Sequence, residues 1–262
     1  NIGDLMVEIV NPSILSKAEK MKILNLLAKG NIAFYEFKNH NKVTKKSLLL
    51  FCDQLGLGNC EYGLDSLSEK DLIVPITFKE NIKNTTEYIP YTAKPLNWHT
   101  DGYYNDFKNS IYSWILHCQI PAKEGGLNTF FDHELSYILY NQQNSKIKSL
   151  TNKEAYIIPE NTTKDRKAVN GYVFSFDNPY KKLHMRFTMR KKHIIWEKDT
   201  LSEIIKLKDI INTSTNFQIK YKLDSNQGVI TNNILHKRTS YVQTEKNSRL
   251  LYRIRSKKRI LK

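Results

Sequence analysis

Phe217-Gln218-Ile219-Lys220-Tyr221-Lys222-Leu223 alternates apolar and polar residues without a break. Strict alternation puts Phe217, Ile219, Tyr221 and Leu223 on one face of a half-buried strand. A turn-rich stretch follows, Asp224-Ser225-Asn226-Gln227-Gly228, then an extended run from Val229 to Leu235 and a last expected strand over Ser248–Ile254. Upstream, Leu72–Ile76, Ser110–Ile120 and Thr129–Phe131 read as further short strands. Helical spacing marks four further stretches. Ala18, Met21, Leu24 and Leu27 predict a helix over Ser16–Lys29 that stops at Gly30. After a strand at Ile32–Phe37, a second helix is expected over Lys46–Leu55, closed by Gly56. A third begins near Asp132 with Leu135, Ile138 and Leu139. Thr200-x-x-Glu203 predicts a capping box ahead of Ile204, Ile205, Leu207 and Ile210. Many short strands between outer helices predict a mainly β fold with flanking helices (α+β), a sandwich or jelly roll with helical buttresses. GxGxxG and GxxxxGKS/T are both absent, and nothing supports a doubly wound parallel sheet.

The chain has 262 residues, 40% apolar and 26% charged, enough for a large core without disulfide or zinc staples. No stretch approaches the roughly 20 apolar residues of a spanning helix. Cys52, Cys60 and Cys118 form no CxxC pair and read as small buried hydrophobes. Asn1-Ile2-Gly3-Asp4 carries no secretory pattern, so the expected compartment is the reducing cytoplasm. Lys and Arg outnumber Asp and Glu by 41 to 26, a net charge of +15. Lysines such as Lys17, Lys20, Lys22 and Lys29 are scattered rather than gathered in a stripe, which disfavours a nucleic-acid partner. The one dense basic run is Arg249–Lys262, which has no acidic residue.

Among the seven histidines, His99 stands out through its neighbours, Asn97-Trp98-His99-Thr100-Asp101-Gly102. One residue separates imidazole from carboxylate, so in an extended or turning segment the pair can converge on one metal ion. The third ligand must come from far along the chain, and His236, at the end of the expected run Ile230–His236, is the candidate. Two histidines and one carboxylate on one face leave three positions open, which is what a non-haem Fe(II) oxygenase requires. Arg249 follows on the next expected strand, one hairpin later, where a guanidinium can reach back and grip a carboxylate two-pronged. Arg253, four residues on, faces the same way. On strand geometry alone the two arginines fit an exposed basic face equally well, and Asp101 before Gly102 fits a turn. His117 and His133 read as structural, His184 as a solvated or core histidine rather than a ligand, and Trp98, Tyr103 and Tyr104 as packing. His40 and His193 read as surface or satisfied-core residues.

Taken in order, His99-x-Asp101, the strand opened by Gly125-Gly126, His236 with Arg238 two residues on, and Arg249-Leu250-Leu251-Tyr252-Arg253 resemble the TauD/TfdA family of Fe(II)- and 2-oxoglutarate-dependent dioxygenases. The resemblance implies a double-stranded β-helix, a cupin-like jelly roll. It implies a single domain over 1–262, with an N-terminal helical buttress over about 1–60 and a lid or insert over about 133–215. It implies that His99, Asp101 and His236 hold iron and that Arg249 binds the distal carboxylate of 2-oxoglutarate. The family usually has GGxT, whose Thr shares that carboxylate; here Asn128 holds the position and Thr129 follows it. Arg253 matches a position that engages the acidic group of the substrate. Pro95 stands where taurine enzymes carry a substrate-contacting Asn, so taurine itself is not implied.

The implied activity uses Fe(II), 2-oxoglutarate and O2 to oxidise, chiefly to hydroxylate, an unactivated C–H of a small anionic metabolite, releasing succinate and CO2. The polar stretches 77–95 and 160–182 are the expected lids. Two rival readings keep the fold: an oxygenase acting on protein or RNA, and a basic nucleic-acid or anion-binding jelly roll without catalysis. No membrane partner is expected, and a homo-oligomer is left open.

Overall fold

The computed structural model describes residues 1–38, 43–58, 72–79, 89–143, 147–162, 166–190, 194–243 and 248–262. His40, Cys60 and His193, and residues 80–88 and 163–165 of the two expected lids, lie outside the described residues. Helix α1 (Ile2–Leu5) and strand β1 (Met6–Ile9) lead to α2 (Lys17–Gly30), β2 (Ile32–Phe37) and α3 (Lys45–Gln54). Strands β3 (Val74–Thr77), β4 (Leu96–His99), β5 (Ser113–Ile120) and β6 (Asn128–Phe131) follow. Next come α4 (His133–Gln143), α5 (Ile147–Leu150) and five short strands: β7 (Tyr156–Ile158), β8 (Val169–Gly171), β9 (Phe174–Ser175), β10 (His184–Met185) and β11 (Ile195–Trp196). Helix α6 (Lys198–Thr213) precedes β12 (Ile219–Tyr221), β13 (Gln227–Thr231), β14 (Leu235–Arg238) and β15 (Leu250–Ser256).

Two sheets carry the architecture. One has six strands in the order β1-β2-β13-β5-β15-β3, the other four in the order β12-β6-β14-β4. The pleat divides each strand between two layers. Ile32 and Phe34 of β2, Trp114 and Cys118 of β5, Val229 of β13 and Leu251 of β15 meet Phe130 and Ile234 between the sheets. The alternate residues Ala33, Tyr35, Phe37, Ile115, Ile230 and Ile254 pack outward against Ile23 and Leu27 of α2 and Leu48 and Phe51 of α3. On the far side, Phe131 and Leu235 of the four-stranded sheet pack against Tyr140 of α4 and Ile204 and Leu207 of α6. Sheet faces sheet, and helices cover both outer surfaces. The fold is a double-stranded β-helix with a cupin-like core, mainly β with flanking helices.

Local readings depart from the sequence in physically legible ways. Helix α2 ends on Gly30 itself, and Asn31 takes the left-handed cap at φ 56. Its buried residues are Ile23 and Leu27, while Ala18 and Met21 are exposed. The Thr200–Glu203 capping box does not form. Helix α6 starts at Lys198, so Thr200 and Glu203 fall inside it; both are buried, and Glu203 accepts a hydrogen bond from Tyr140. Phe217 lies in a 3-10 turn and is exposed.

The expected run from Val229 to His236 is two strands in different sheets, broken at Asn232-Asn233, where Asn233 is left-handed at φ 55. Nor do β14 and β15 form a hairpin; they belong to opposite sheets. The basic run Arg249–Lys262 is largely internal: Arg249, Arg255 and Arg259 are buried, and only Lys258 and Lys262 among its basic residues are exposed. Cys52 and Cys118 are buried, and neither takes part in a disulfide among the described residues. Among the described residues no helix is long and apolar enough to cross a membrane.

His117 is fully buried on the outward face of β5, within hydrogen-bond distance of the Tyr35 hydroxyl. Burial pushes its imidazole down to about 3. The unfolded chain takes up that proton below about 6.5, the folded chain only near 3, so stability falls as pH drops through that window. At pH 5 the linkage amounts to about 2 kcal/mol relative to pH 8. Urea unfolding at the two pH values should show the loss in the wild type and a smaller one, by about that amount, in His117→Gln.

Candidate metal centre

His99 ends β4 and His236 lies second in β14, and the antiparallel register sets them directly opposite. Asp101 follows two residues after His99, past the end of the strand, and its carboxylate returns to the same point. His99 Nε2 and His236 Nε2 lie 3.7 Å and 3.8 Å from Asp101 Oδ1. One ligand atom from each residue falls within 4.8 Å of the others, the one such His/Cys/Asp/Glu group among the described residues. The Trp114 ring packs 4.6 Å from His236 and supports the wall behind it.

Backbone carbonyls decide which nitrogen of each ring is available. His99 Nδ1 is 2.8 Å from the Asn97 carbonyl and His236 Nδ1 is 3.2 Å from the Ile234 carbonyl. A carbonyl only accepts, so each Nδ1 carries the proton and each Nε2 keeps a free lone pair. Burial, with His236 beside it, pushes His99 down to about 3, and burial lowers His236 as well. For Asp101 burial acts upward, but Arg253, Arg255 and the two imidazoles outweigh it and hold the carboxyl down at about 2. At neutral pH the cluster is two neutral imidazoles and one carboxylate, the protonation state a cation needs. Asp101 Oδ2 is buried without a hydrogen-bond partner. The donor set and this orphaned oxygen fit a divalent metal of the non-haem iron kind.

The arginines occupy the neighbouring interior. Arg253 Nη1 stands 3.9 Å from Asp101 Oδ2, while its Nε is buried without a hydrogen-bond partner. Arg249 is buried just before β15 and lines a small cleft with Asn128, Gly126, Cys118, Lys222 and Leu251. Among the described residues it pairs with no carboxylate. Arg249 and Arg238 both lie over the Tyr241 ring, at 5.0 and 4.9 Å. Arg238 is spent on structure, donating to the Thr92 and Lys94 carbonyls at 3.0 and 2.7 Å.

Gly125 and Gly126 are both left-handed at φ 72. A Cβ on Gly125 would land on the Ser240 carbonyl, and one on Gly126 would stand 3.7 Å from Arg249 Nε. Gly125 thus lets the chain pass close to the Ser240 backbone, and at Gly126 the positive φ itself favours glycine. Asn128 shares the interior face of β6 with Phe130; Thr129 shares the opposite face with Phe131, so the structure brings Asn128, and not Thr129, to Arg249. His133 and His184 are buried away from this cluster, His133 against the Leu183 carbonyl.

The sequence matches the family described as "Taurine catabolism dioxygenase TauD, TfdA family" over residues 7–255. The chain belongs to the TauD/TfdA family. Membership makes it a dioxygenase by class. No curated protein matches this TauD/TfdA chain closely. Solved structures do match in shape. It is similar to an asparagine oxygenase in complex with Fe(II), 2S,3S-3-hydroxyasparagine and succinate, at 11% identity and TM-score 0.64, over 95% of this chain and 93% of that one. It is similar to the non-heme iron oxygenase OrfP in complex with Fe and alpha-ketoglutaric acid, at 14% identity and TM-score 0.64, over 92% and 80% of the two chains. The PvcB protein from Pseudomonas aeruginosa matches at 13% identity and TM-score 0.63, over 96% and 84%. At these identities the likeness carries the fold.

The sequence pointed to the three side chains that converge, His99, Asp101 and His236, and to Arg249. It did not point to Arg255, Trp114, Tyr241 or Asn233. Only the last left a signal, a pair of asparagines interrupting an apolar run.

Proposed function

We propose that this TauD/TfdA chain uses Fe(II), 2-oxoglutarate and O2 to hydroxylate an unactivated C–H bond of a small anionic metabolite. The observation that carries the reading is the meeting of His99, Asp101 and His236 on one wall of the barrel; a buried arginine that no described carboxylate neutralises, Arg249, lies four residues before the Arg253 that stands beside Asp101. His99 Nε2, His236 Nε2 and Asp101 would hold the iron. Fe(II) bound there supplies the oxidation: O2 and 2-oxoglutarate yield succinate and CO2, and one oxygen atom enters the substrate C–H bond. The rest is work for the protein. Arg249 neutralises the distal carboxylate of 2-oxoglutarate and fixes its pose, with the Asn128 amide as a second donor. Arg253, beside Asp101 with an unspent Nε–H, offers the substrate's anionic group its contact. Trp114 and Leu251 line an apolar interior that keeps water from the reacting atoms.

The same proposal takes the chain as a single domain, with α2 and α3 as the N-terminal buttress and about 133–215 as an insert. In support, the insert borders the metal centre: Thr188 bridges to His99, and Met189 N–H donates to the Trp98 carbonyl at 2.9 Å. The iron and cosubstrate complexes of OrfP and the product complex of the asparagine oxygenase support the choice of cofactors and a small substrate. The test is succinate formation by Fe(II)-loaded protein over a panel of small carboxylates, amino acids among them, with peptides and RNA as further arms. Succinate release stimulated by one small anion is expected. Stimulation by peptide or RNA alone would overturn the small-molecule reading, and no succinate from any arm, with no uptake of 2-oxoglutarate, would overturn the oxygenase reading.

A further inference from the structure

The corner between β13 and β14 is built from two consecutive buried asparagines, Asn232 and Asn233, and each uses its side-chain amide as a substitute backbone. Asn233 Oδ1 accepts from the Asp101 N–H at 2.8 Å, and Asn233 Nδ2 donates to the Asp101 carbonyl at 2.9 Å. The second N–H of that amide goes to the Ile111 carbonyl at 2.7 Å. Asn232 does the same to a different segment: its Oδ1 accepts from Ile260 N–H at 3.0 Å and its Nδ2 donates to the Ile260 carbonyl at 3.1 Å. Both side chains are essentially closed off from solvent.

The placement of Asn233 is what matters chemically. Asp101 lies beyond the end of β4, where the ladder that fixes His99 against His236 no longer reaches it. Asn233 supplies the missing rung. It stands three residues before His236 on the same short segment, so one side chain ties the carboxylate ligand to the second imidazole across the width of the site. The two-bond exchange needs an acceptor and a donor on one planar group at this length. Asp lacks the donor, Ser and Ala lack the reach, and the left-handed φ of 55 further suits Asn.

We infer that Asn233 is a positioning residue of the metal centre, holding Asp101 in register with His236; the inference rests on the metal-centre reading above. Outer hydrogen bonds of this kind typically change metal affinity ten- to a hundredfold. Asn232 is its internal control, since it makes the same number of bonds to Ile260, one residue earlier, and none to Asp101.

The experiment titrates Mn(II) into wild type, Asn233→Gly, Asn233→Ser and Asn232→Gly by calorimetry, with melting temperatures recorded alongside. Glycine accepts the left-handed backbone, so the first variant removes only the side chain. The expected result is a loss of Mn(II) affinity of about ten- to a hundredfold in Asn233→Gly, a smaller loss in Asn233→Ser, and near-wild-type affinity in Asn232→Gly despite a comparable fall in melting temperature. Wild-type affinity in Asn233→Gly, or an equal loss in Asn232→Gly, would overturn the inference. Amide exchange on the wild type gives a measurement that needs no variant: the Asp101 N–H should be as protected as the core strands, and free exchange there would overturn the inference too. A wild-type chain that takes up no Mn(II) at all would instead sink the metal-centre reading, and this inference with it.

Discussion

His236→Ala is expected to keep the fold and to lose Fe(II) or Mn(II) affinity by more than about a hundredfold, the upper end of what even indirect changes at such sites do. Succinate formation should fall to background. The ring contributes a lone pair to the centre and little to the sheet, because β14 is held by backbone ladders to β6 and β4 that the substitution leaves in place. Two donors remain, His99 and Asp101, and an imidazole with one carboxylate grips a divalent ion far less tightly than three groups held in place before it arrives. Asp101→Asn makes the same point from the charge side, since it preserves shape and removes the anion. The check is metal stoichiometry by atomic absorption together with circular dichroism. A folded His236→Ala variant that still coupled 2-oxoglutarate decay to substrate would remove His236 from the ligand set.

Arg249→Met is expected to raise the KM for 2-oxoglutarate by roughly 30- to 5,000-fold. This follows from the 2–5 kcal/mol that truncating one partner of a buried charge pair usually costs. kcat at saturating cosubstrate should fall much less, because the guanidinium grips the end of the molecule remote from the reaction. A second consequence follows from its burial. Without a diacid Arg249 is an uncompensated internal cation, and burial lowers its pKa below the usual arginine range. Methionine of similar volume should therefore melt at or above the wild-type temperature in the absence of 2-oxoglutarate, and addition of the diacid should stabilise only the wild type. Steady-state kinetics and thermal shift with and without 2-oxoglutarate check both halves. An unchanged KM would place the cosubstrate elsewhere.

Much of this was legible in the chain. Alternation at Ile219 and Tyr221, expected strands at Ile32–Phe37 and Ser110–Ile120, and only a few helical stretches among many short strands lead to a jelly roll because period-two burial leaves few other closures. The convergence of His99, Asp101 and His236 was legible because its first two members are separated by one residue. Other features hid for physical reasons. An apolar run does not announce a corner, so Val229–Leu235 looked continuous although Asn232-Asn233 swings it from one sheet to the other. Thr200 and Glu203 have the spacing of a cap, yet tertiary contacts, Glu203 with Tyr140 of α4 and Thr200 with the Ser149 carbonyl of α5, draw both inside the helix. The basic tail left the placement of its arginines open, since on strand geometry alone an exposed face suits them as well as an interior one. Here Arg249, Arg255 and Arg259 turn inward, and Arg186, also buried, spends its guanidinium on the Tyr103 and Asn105 carbonyls. Such burial is set by backbone carbonyls and aromatic rings brought from distant segments, which composition does not encode.

The packing of Arg238 and Arg249 against one shared Tyr241 ring has a kinetic corollary. Mobile counterions at physiological strength thin out fields in open water over about 8 Å but scarcely enter a closed protein wall. Added salt should therefore slow the capture of a dianion drawn in by the chain's overall positive field, while leaving its residence time on Arg249 nearly untouched.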